Sequence, residues 1–274
     1  MARIYTLVNQ KGGVGKTTTA VNLAAYLARL GQRVLLVDLD PQANATSSLG
    51  MDKSKVAGGV YEALVGGVSP REYVLHSPQL KLALLPASPA LAGAEVELVT
   101  MLARETQLRG ALTELETGYD YVLIDCPPSL GLLTINGLTA ARDGVIIPVQ
   151  CEYLALEGLG QLTNTISRVR AALYPNLTIR GLVMTMYDGR ASLSQQVVAE
   201  VHKHFPGKVF KAIIPRSVRL AEAPSHGLPV AVYSPNSTGA AAYRALAEEL
   251  LNADQPILPP PTGMTIPPGD PDAG

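Results

Sequence analysis

The chain has 274 residues, 47% hydrophobic and 16% charged, with a formal net charge of −1. That is enough chain for one α/β domain with a sizeable core. The balance excludes a polycation, so any nucleic-acid contact has to come from a local patch, and with no run of about 18 apolar residues a transmembrane helix is not expected.

In chain order, the N-terminus runs straight into Ile4-Tyr5-Thr6-Leu7-Val8, which reads as a strand. A signal peptide would carry a longer apolar stretch and a small-residue cleavage site, so the expected compartment is the cytoplasm. Strands are expected at 3–8, 33–38, 81–85, 121–125, 144–149, 180–186 and 209–214, and helices at 16–30, 94–116, 132–141, 156–173, 194–204 and 239–252. Several strands are near-continuous Val/Ile/Leu runs, the pattern of strands covered on both faces. Strand–helix alternation predicts right-handed crossovers and a doubly wound, mostly parallel sheet with helices on both faces. The domain is expected to span 1–252. The remainder, 253–274, carries Pro256, Pro259, Pro260, Pro261, Pro267, Pro268 and Pro271, a composition expected to be disordered or polyproline-like. Cys126 and Cys151 have no metal-ligand spacing and read as small buried apolar residues.

Gln10-Lys11-Gly12-Gly13-Val14-Gly15-Lys16-Thr17-Thr18 follows the first strand and opens the first helix, the context a phosphate loop requires. Its glycines permit a tight turn with successive N–H groups aimed at phosphate oxygens, and the helix N-terminus adds its dipole. Lys16 supplies a cation to the β- and γ-phosphates and the Thr17 hydroxyl is placed to hold Mg²⁺. The loop departs from the standard spacing: Gln10 stands where the first glycine belongs, and a second lysine, Lys11, precedes Gly12. A second cation crowds the first unless it faces another negative charge, such as a phosphate bound to a partner subunit.

Val34-Leu35-Leu36-Val37-Asp38-Leu39-Asp40 is an apolar strand ending in two carboxylates, two residues apart and expected to point the same way. In parallel α/β sheets ligands sit beyond the carboxyl ends of strands. Val122-Leu123-Ile124-Asp125 repeats the pattern and delivers Asp125 toward the metal through water, with Asp40 a second water-mediated candidate. Between Arg180 and Leu220 there are seven Lys/Arg (Arg180, Arg190, Lys203, Lys208, Lys211, Arg216, Arg219) against Asp188 and Glu200.

These motifs, with Pro127-Pro128-Ser129, Pro148-Val149-Gln150-Cys151-Glu152 and Ile214-Pro215-Arg216-Ser217-Val218-Arg219-Leu220-Ala221-Glu222-Ala223-Pro224-Ser225, resemble the ParA/Soj family of chromosome- and plasmid-partitioning ATPases, within the deviant Walker A group. The match covers about 1–252, and with no helix-turn-helix domain before the loop it resembles the short form. The resemblance implies slow, partner-stimulated ATP hydrolysis with Mg²⁺ and an ATP-dependent sandwich homodimer. It implies that Lys11 reaches the phosphates of the opposite subunit and that Asp40 positions the attacking water. It places Pro215, Arg216 and Ser217 at the adenine, and Arg190 and Arg219 on non-specific double-stranded DNA. A ParB-type centromere-binding partner and a nucleoid location follow from it as well.

Three other readings use the same loop. A relative resembling MinD would end in a basic amphipathic helix on the bilayer, whereas no Lys or Arg follows Arg244. A cluster carrier resembling the nitrogenase iron protein needs paired cysteine thiolates, an arrangement that Cys126 and Cys151 do not supply. A small-molecule ligase or kinase needs a second substrate pocket, which no motif suggests.

Overall fold

The computed structural model describes residues 1–255; the Pro-rich stretch expected to be disordered lies outside the described residues. Seven strands form one sheet: β1 (Arg3–Leu7), β2 (Val34–Asp38), β3 (Leu75–Ser77), β4 (Leu82–Leu85), β5 (Tyr121–Asp125), β6 (Gly144–Gln150) and β7 (Ile179–Thr185), in the order β3-β4-β2-β5-β1-β6-β7. Every neighbouring pair is parallel except β3 with β4, so β3 is an antiparallel edge. The helices are α1 (Lys16–Arg29), α2 (Asn44–Ser48), α3 (Val60–Val65), α4 (Leu91–Glu97), α5 (Gln107–Thr113), α6 (Leu132–Ala140), α7 (Ala155–Ala172), α8 (Ser192–His204), α9 (Val218–Glu222), α10 (Val230–Tyr233) and α11 (Thr238–Asp254). This is a doubly wound α/β arrangement with helices on both faces, as the strand–helix alternation predicts.

The central strands are apolar throughout because both faces are covered. Leu36 and Leu123 pack with Leu23, Leu27, Tyr243 and Leu246 of α1 and α11. Their neighbours Leu35, Val37, Val122 and Ile124 turn to the other face, onto Leu91, Leu98 and Leu112. A third cluster joins Val145, Ile147 and Met184 to Leu162, Ile166 and Val201 of α7 and α8. Each fully buried aliphatic side chain contributes about 1.5–3 kcal/mol of transfer free energy.

Three expectations change. The region expected as one helix at 94–116 is α4, a 3₁₀ turn over Leu98–Thr100, and α5. Ala103 takes a positive φ of 51° between them. The break is held from α6: Asn136 Nδ2 donates to Arg104 O, Asn136 Oδ1 accepts from Leu108 N, and Thr139 Oγ1 donates to Glu105 O. The segment 209–214 runs beside β7 but carries a single isolated bridge, Val209 to Leu182, with a second just beyond it at Pro215. The Lys211 and Ala212 amides donate to the Glu249 carboxylate of α11 at 2.9 and 3.1 Å instead of to a strand. Finally, α11 runs through Asp254, two residues past the boundary expected at 252.

Asp254 closes the amino edge of the sheet. Its carboxylate accepts from the Tyr5 hydroxyl at 2.8 Å, the Tyr121 hydroxyl at 3.1 Å and Arg180 Nη2 at 2.9 Å, while Arg3 Nη2 donates to its carbonyl. Burial, together with the neighbouring carboxylate, pushes both phenols up. Removing an acceptor shared by partly buried donors costs about 2–4 kcal/mol. Asp254→Ala is therefore expected to lower the melting temperature by roughly 5–10 °C. In the same calorimetric series, a chain ended after Asn252 should melt well below one ended after Gln255.

Candidate functional site

The parallel register brings the carboxyl ends of β1, β2 and β5 together, with Asp38 and Leu7 both paired to Asp125. The loop after β1 turns at Gly13 (φ 75°) and Gly15 (φ 87°), conformations open to glycine but strained for other residues, and passes directly into α1. Two tethers fix it to the far half of the sheet. Asn9 Nδ2 donates to Pro148 O of β6 at 2.8 Å, and Thr185 Oγ1 of β7 donates to Val14 O at 2.8 Å.

Above the loop lies a cleft of about 520 Å³, lined by Gly12, Gly13, Gly15, Lys16, Thr17 and Thr18 and faced by Asp40 and by Ser47 of α2. The Lys16 side chain is almost enclosed: the residue is 6% exposed, and its ammonium donates to Lys11 O at 3.2 Å. Desolvation lowers its pKa, and the negative charge of Asp125 and Asp40 pulls the other way. A second cavity of about 280 Å³ shares Gly15, Thr18 and Met186 with the cleft and is mostly apolar, walled by Ile214, Leu220 and Tyr243. Pro215, Arg216 and Ser217 all line it. Met186, at the junction, is held at a positive φ of 51°, the kind of strain that clusters at ligand sites. A cavity of about 650 Å³ at the amino edge, lined by Arg29, Arg33 and Lys81, contains none of the motif residues.

The three acids separate in role. Asp125 is fully buried, and neither carboxylate oxygen has a hydrogen-bond partner among the described residues. Burial raises its pKa well above the carboxylate range, and the Asp38 charge adds to the rise; Thr17 and Lys16 beside it oppose it. Two orphaned oxygens next to the Thr17 hydroxyl fit a hydrated divalent cation, which would supply their missing hydrogen bonds through its waters. Among the described residues no group of three or more His, Cys, Asp and Glu could hold a metal, so such a cation would depend on the ligand's own oxygens. Asp38 does not share a direction with Asp40 as expected. It turns under α2, accepting from Thr46 Oγ1 at 2.7 Å, Thr46 N at 2.8 Å and Asp40 N at 3.2 Å, and burial still lifts its pKa to about 6. Asp40 lines the cleft and accepts from Gln42 N at 2.9 Å.

Several contributors carry no sequence signal. Thr46 reads as an ordinary polar residue, yet it anchors α2 to Asp38 and also accepts from Ala87 N at 3.0 Å. Glu95 of α4 accepts from Leu132 N and Leu133 N, capping α6 just after Pro127-Pro128. Gly50 and Gly227 meet back to back, both with positive φ; a Cβ on Gly227 would stand 2.6 Å from Gly50 Cα.

Lys11 is absent from the cleft wall. It stands at the rim, where its ammonium donates to Glu152 Oε2 at 2.9 Å. The basic cluster at 180–220 is divided in space. Arg190, Arg216 and Arg219 are exposed at the carboxyl edge, whereas Arg180 is bound to Asp254 at the amino edge and Lys208 lies alongside Leu182, midway along β7. Arg190 is paired with Asp188 at 3.2 Å and Arg219 with Glu222 at 2.9 Å.

A glycine-turned loop opening a helix, an enclosed lysine, and an orphaned strand-end carboxylate define a P-loop nucleotide-binding protein of the deviant Walker A kind. A family model described as an AAA domain matches residues 2–179. The sporulation initiation inhibitor protein Soj of Bacillus subtilis is 54% identical over 250 residues, covering 91% of this chain and 98% of its own. The chromosome-partitioning ATPase Soj of Thermus thermophilus is 57% identical over 249 residues, covering 91% and 95%. A solved structure from Mycobacterium smegmatis, called cobyrinic acid a,c-diamide synthase and holding an ATP analogue and magnesium, shares 43% identity at a TM-score of 0.81, covering 92% of this chain and 95% of its own. The chain belongs to the ParA/Soj family of chromosome-partitioning ATPases.

The orphaned Asp125 gives a prediction for the ligand-free protein. Its folded-state pKa lies above the unfolded value, so the native state binds the extra proton and the ionised group costs stability as pH rises through that window. Asp125→Asn should raise the melting temperature of nucleotide-free protein at pH 8, with the gain shrinking toward pH 5. It should also remove the additional stabilisation that Mg²⁺ gives in the presence of ATP. A fall in melting temperature at pH 8 would contradict the assignment.

Proposed function

We propose that this chain binds ATP with Mg²⁺ in the cleft and adjoining cavity, pairs with a second copy as an ATP-sandwich homodimer, and in that state binds double-stranded DNA without sequence preference. The single observation that carries the reading is Lys11: a second loop lysine at the rim of its own cleft, half-exposed and absent from the cleft wall. A cation so placed is suited to phosphates presented from outside the subunit.

In this scheme the loop amides and Lys16 hold the β- and γ-phosphates, while Thr17 and Asp125 would hold the Mg²⁺ through its water, with Asp40 a further candidate for such a contact. Bound Mg²⁺ would neutralise charge on the phosphate oxygens. Asp40 orients or deprotonates the attacking water, and Lys11 and Lys16 stabilise the charge on the transferring phosphoryl. Pro215, Arg216 and Ser217 border the adenine. Arg190 and Arg219, with Arg216 between their loops, form the DNA face. Each of the outer two would exchange a carboxylate partner for a DNA phosphate. A monomer offers few such contacts, and dimerisation doubles them and makes the second set intramolecular. Hydrolysis, stimulated by a ParB-type partner, would release the protein from the nucleoid. The ATPase domain is taken as 1–254, with the Pro-rich remainder outside it.

The name carried by the M. smegmatis structure favours a second reading, an ATP-dependent amide-forming synthase. It calls for turnover that depends on a carboxylate acceptor and an amide donor, where partitioning calls for turnover that depends on DNA and a partner protein. The chromosome-partitioning ATPase of T. thermophilus, at 57% identity, supports partitioning.

Asp40→Ala is expected to bind ATP and accumulate as a dimer with hydrolysis lost, while Lys11→Ala binds ATP as a monomer and does not turn it over. Light scattering with ATP separates them, and an Asp40 variant that stays monomeric, or a Lys11 variant that dimerises like wild type, contradicts the scheme. For DNA, wild type should bind with ATP and only weakly with ADP. Log affinity should fall with log salt at roughly 0.9 per phosphate contacted. Arg219→Glu should weaken binding and flatten that slope with dimerisation intact. Equal binding with ADP and ATP would remove the nucleotide gate, and normal binding by the dimeric Arg219 variant would put the DNA face elsewhere.

A further inference from the structure

Lys11 and Glu152 reach each other from neighbouring strands of the same sheet. Lys11 follows β1 and Glu152 follows β6. The backbone on each side is already fixed. Lys11 N donates to Asn9 Oδ1 at 3.0 Å, and Asn9 is itself tied to Pro148 of β6. Glu152 N donates to Gln150 O at 2.8 Å, and the Gln150 side-chain amide donates to Glu152 Oε1. That leaves Oε2 for the Lys11 ammonium at 2.9 Å. Because both backbones hang on one strand, closing the pair orders little beyond the two side chains. The next two residues, Tyr153 and Leu154, are large apolar side chains 81% and 54% exposed. The pair thus borders a surface suited to cover by another molecule.

We propose that Glu152 is a positioning residue that parks Lys11 on its own subunit, so that pairing of two ATP-loaded copies must exchange the Lys11–Glu152 contact for a contact between Lys11 and a phosphate across the interface. This rests on the reading of Lys11 as a cross-subunit group. A carboxylate carries one negative charge and a triphosphate several, so the phosphate wins the ammonium when the γ-phosphate is present and has less advantage when it is not. Glu152 therefore sets a threshold that ADP-loaded copies do not cross. When Lys11 leaves, Glu152 retains its Gln150 donor and is not stranded. The residue needs no contact with nucleotide or water; it acts through Lys11 alone.

The pair is half-exposed, with side chains 37% and 44% accessible. An ion pair of that exposure changes an equilibrium about 2- to 5-fold, and each dimer exchanges two, giving about 4- to 25-fold. The experiment is sedimentation with ATP and Mg²⁺ in an Asp40→Ala background, where turnover does not consume the ligand. Glu152→Gln keeps the shape and removes the charge, and is expected to lower the dimer dissociation constant by that factor. With Lys11→Ala added, Glu152→Gln should leave the protein monomeric. Unchanged or weaker dimerisation of the Glu152 variant, beside a parent that dimerises, overturns the proposal. So does recovery of the dimer by Glu152→Gln in the Lys11→Ala protein, since Glu152 would then act as a plain repulsive charge. A parent that stays monomeric with ATP overturns the cross-subunit reading itself, and the parking role with it.

Discussion

Asp38 and Asp125 stand side by side on β2 and β5, two fully buried carboxyl groups in register at the carboxyl ends of adjacent strands. Much of the local structure offsets that arrangement. Asp38 is supplied with three donors, two from Thr46 and one from Asp40, which commits α2 to lie against the end of β2. Among the described residues Asp125 has no hydrogen-bond partner, and the enclosed Lys16 supplies the opposite charge beside it. The first acid has become structural because its hydrogen-bond needs are met from within the chain. The needs of the second are not met by any described residue.

The loop shows the same division between what is fixed and what is left available. Asn9 and Thr185 fix its backbone to β6 and β7, which relieves the glycines of holding the shape alone. Among the described residues the Lys16 ammonium has a backbone carbonyl as its one hydrogen bond, and burial lowers its affinity for its proton. The cation beside the cleft is thus largely enclosed by protein before any ligand arrives. Little solvent then has to be reorganised when a contact with it forms.

Much of this was legible in the residues. The central strands show as uninterrupted apolar runs, since both faces are buried, and the loop, Asp40 and Asp125 follow from motif and strand end. The break at Ala103 was not legible, because no Gly or Pro marks it and the donors that hold it come from α6, more than 30 residues away. The segment 209–214 has a strand's composition, but its amide donors at Lys211 and Ala212 were drawn to Glu249. β3 is three residues at an edge, too short for a period to show. The run of seven cations between Arg180 and Leu220 is continuous in sequence and divided in space, because β7 and α8 carry the chain from one edge of the sheet to the other and back.

The clamp at Asp254 also decides how the molecule can be handled. Arg3 and Asp254, 251 positions apart, meet at the amino edge, so the chain begins on the same side from which residue 255 departs. A fluorophore attached beside Arg3 or at Gln255 would start from the face opposite the phosphate loop. Labels placed there report on the protein's position while the cleft faces away from the attachment.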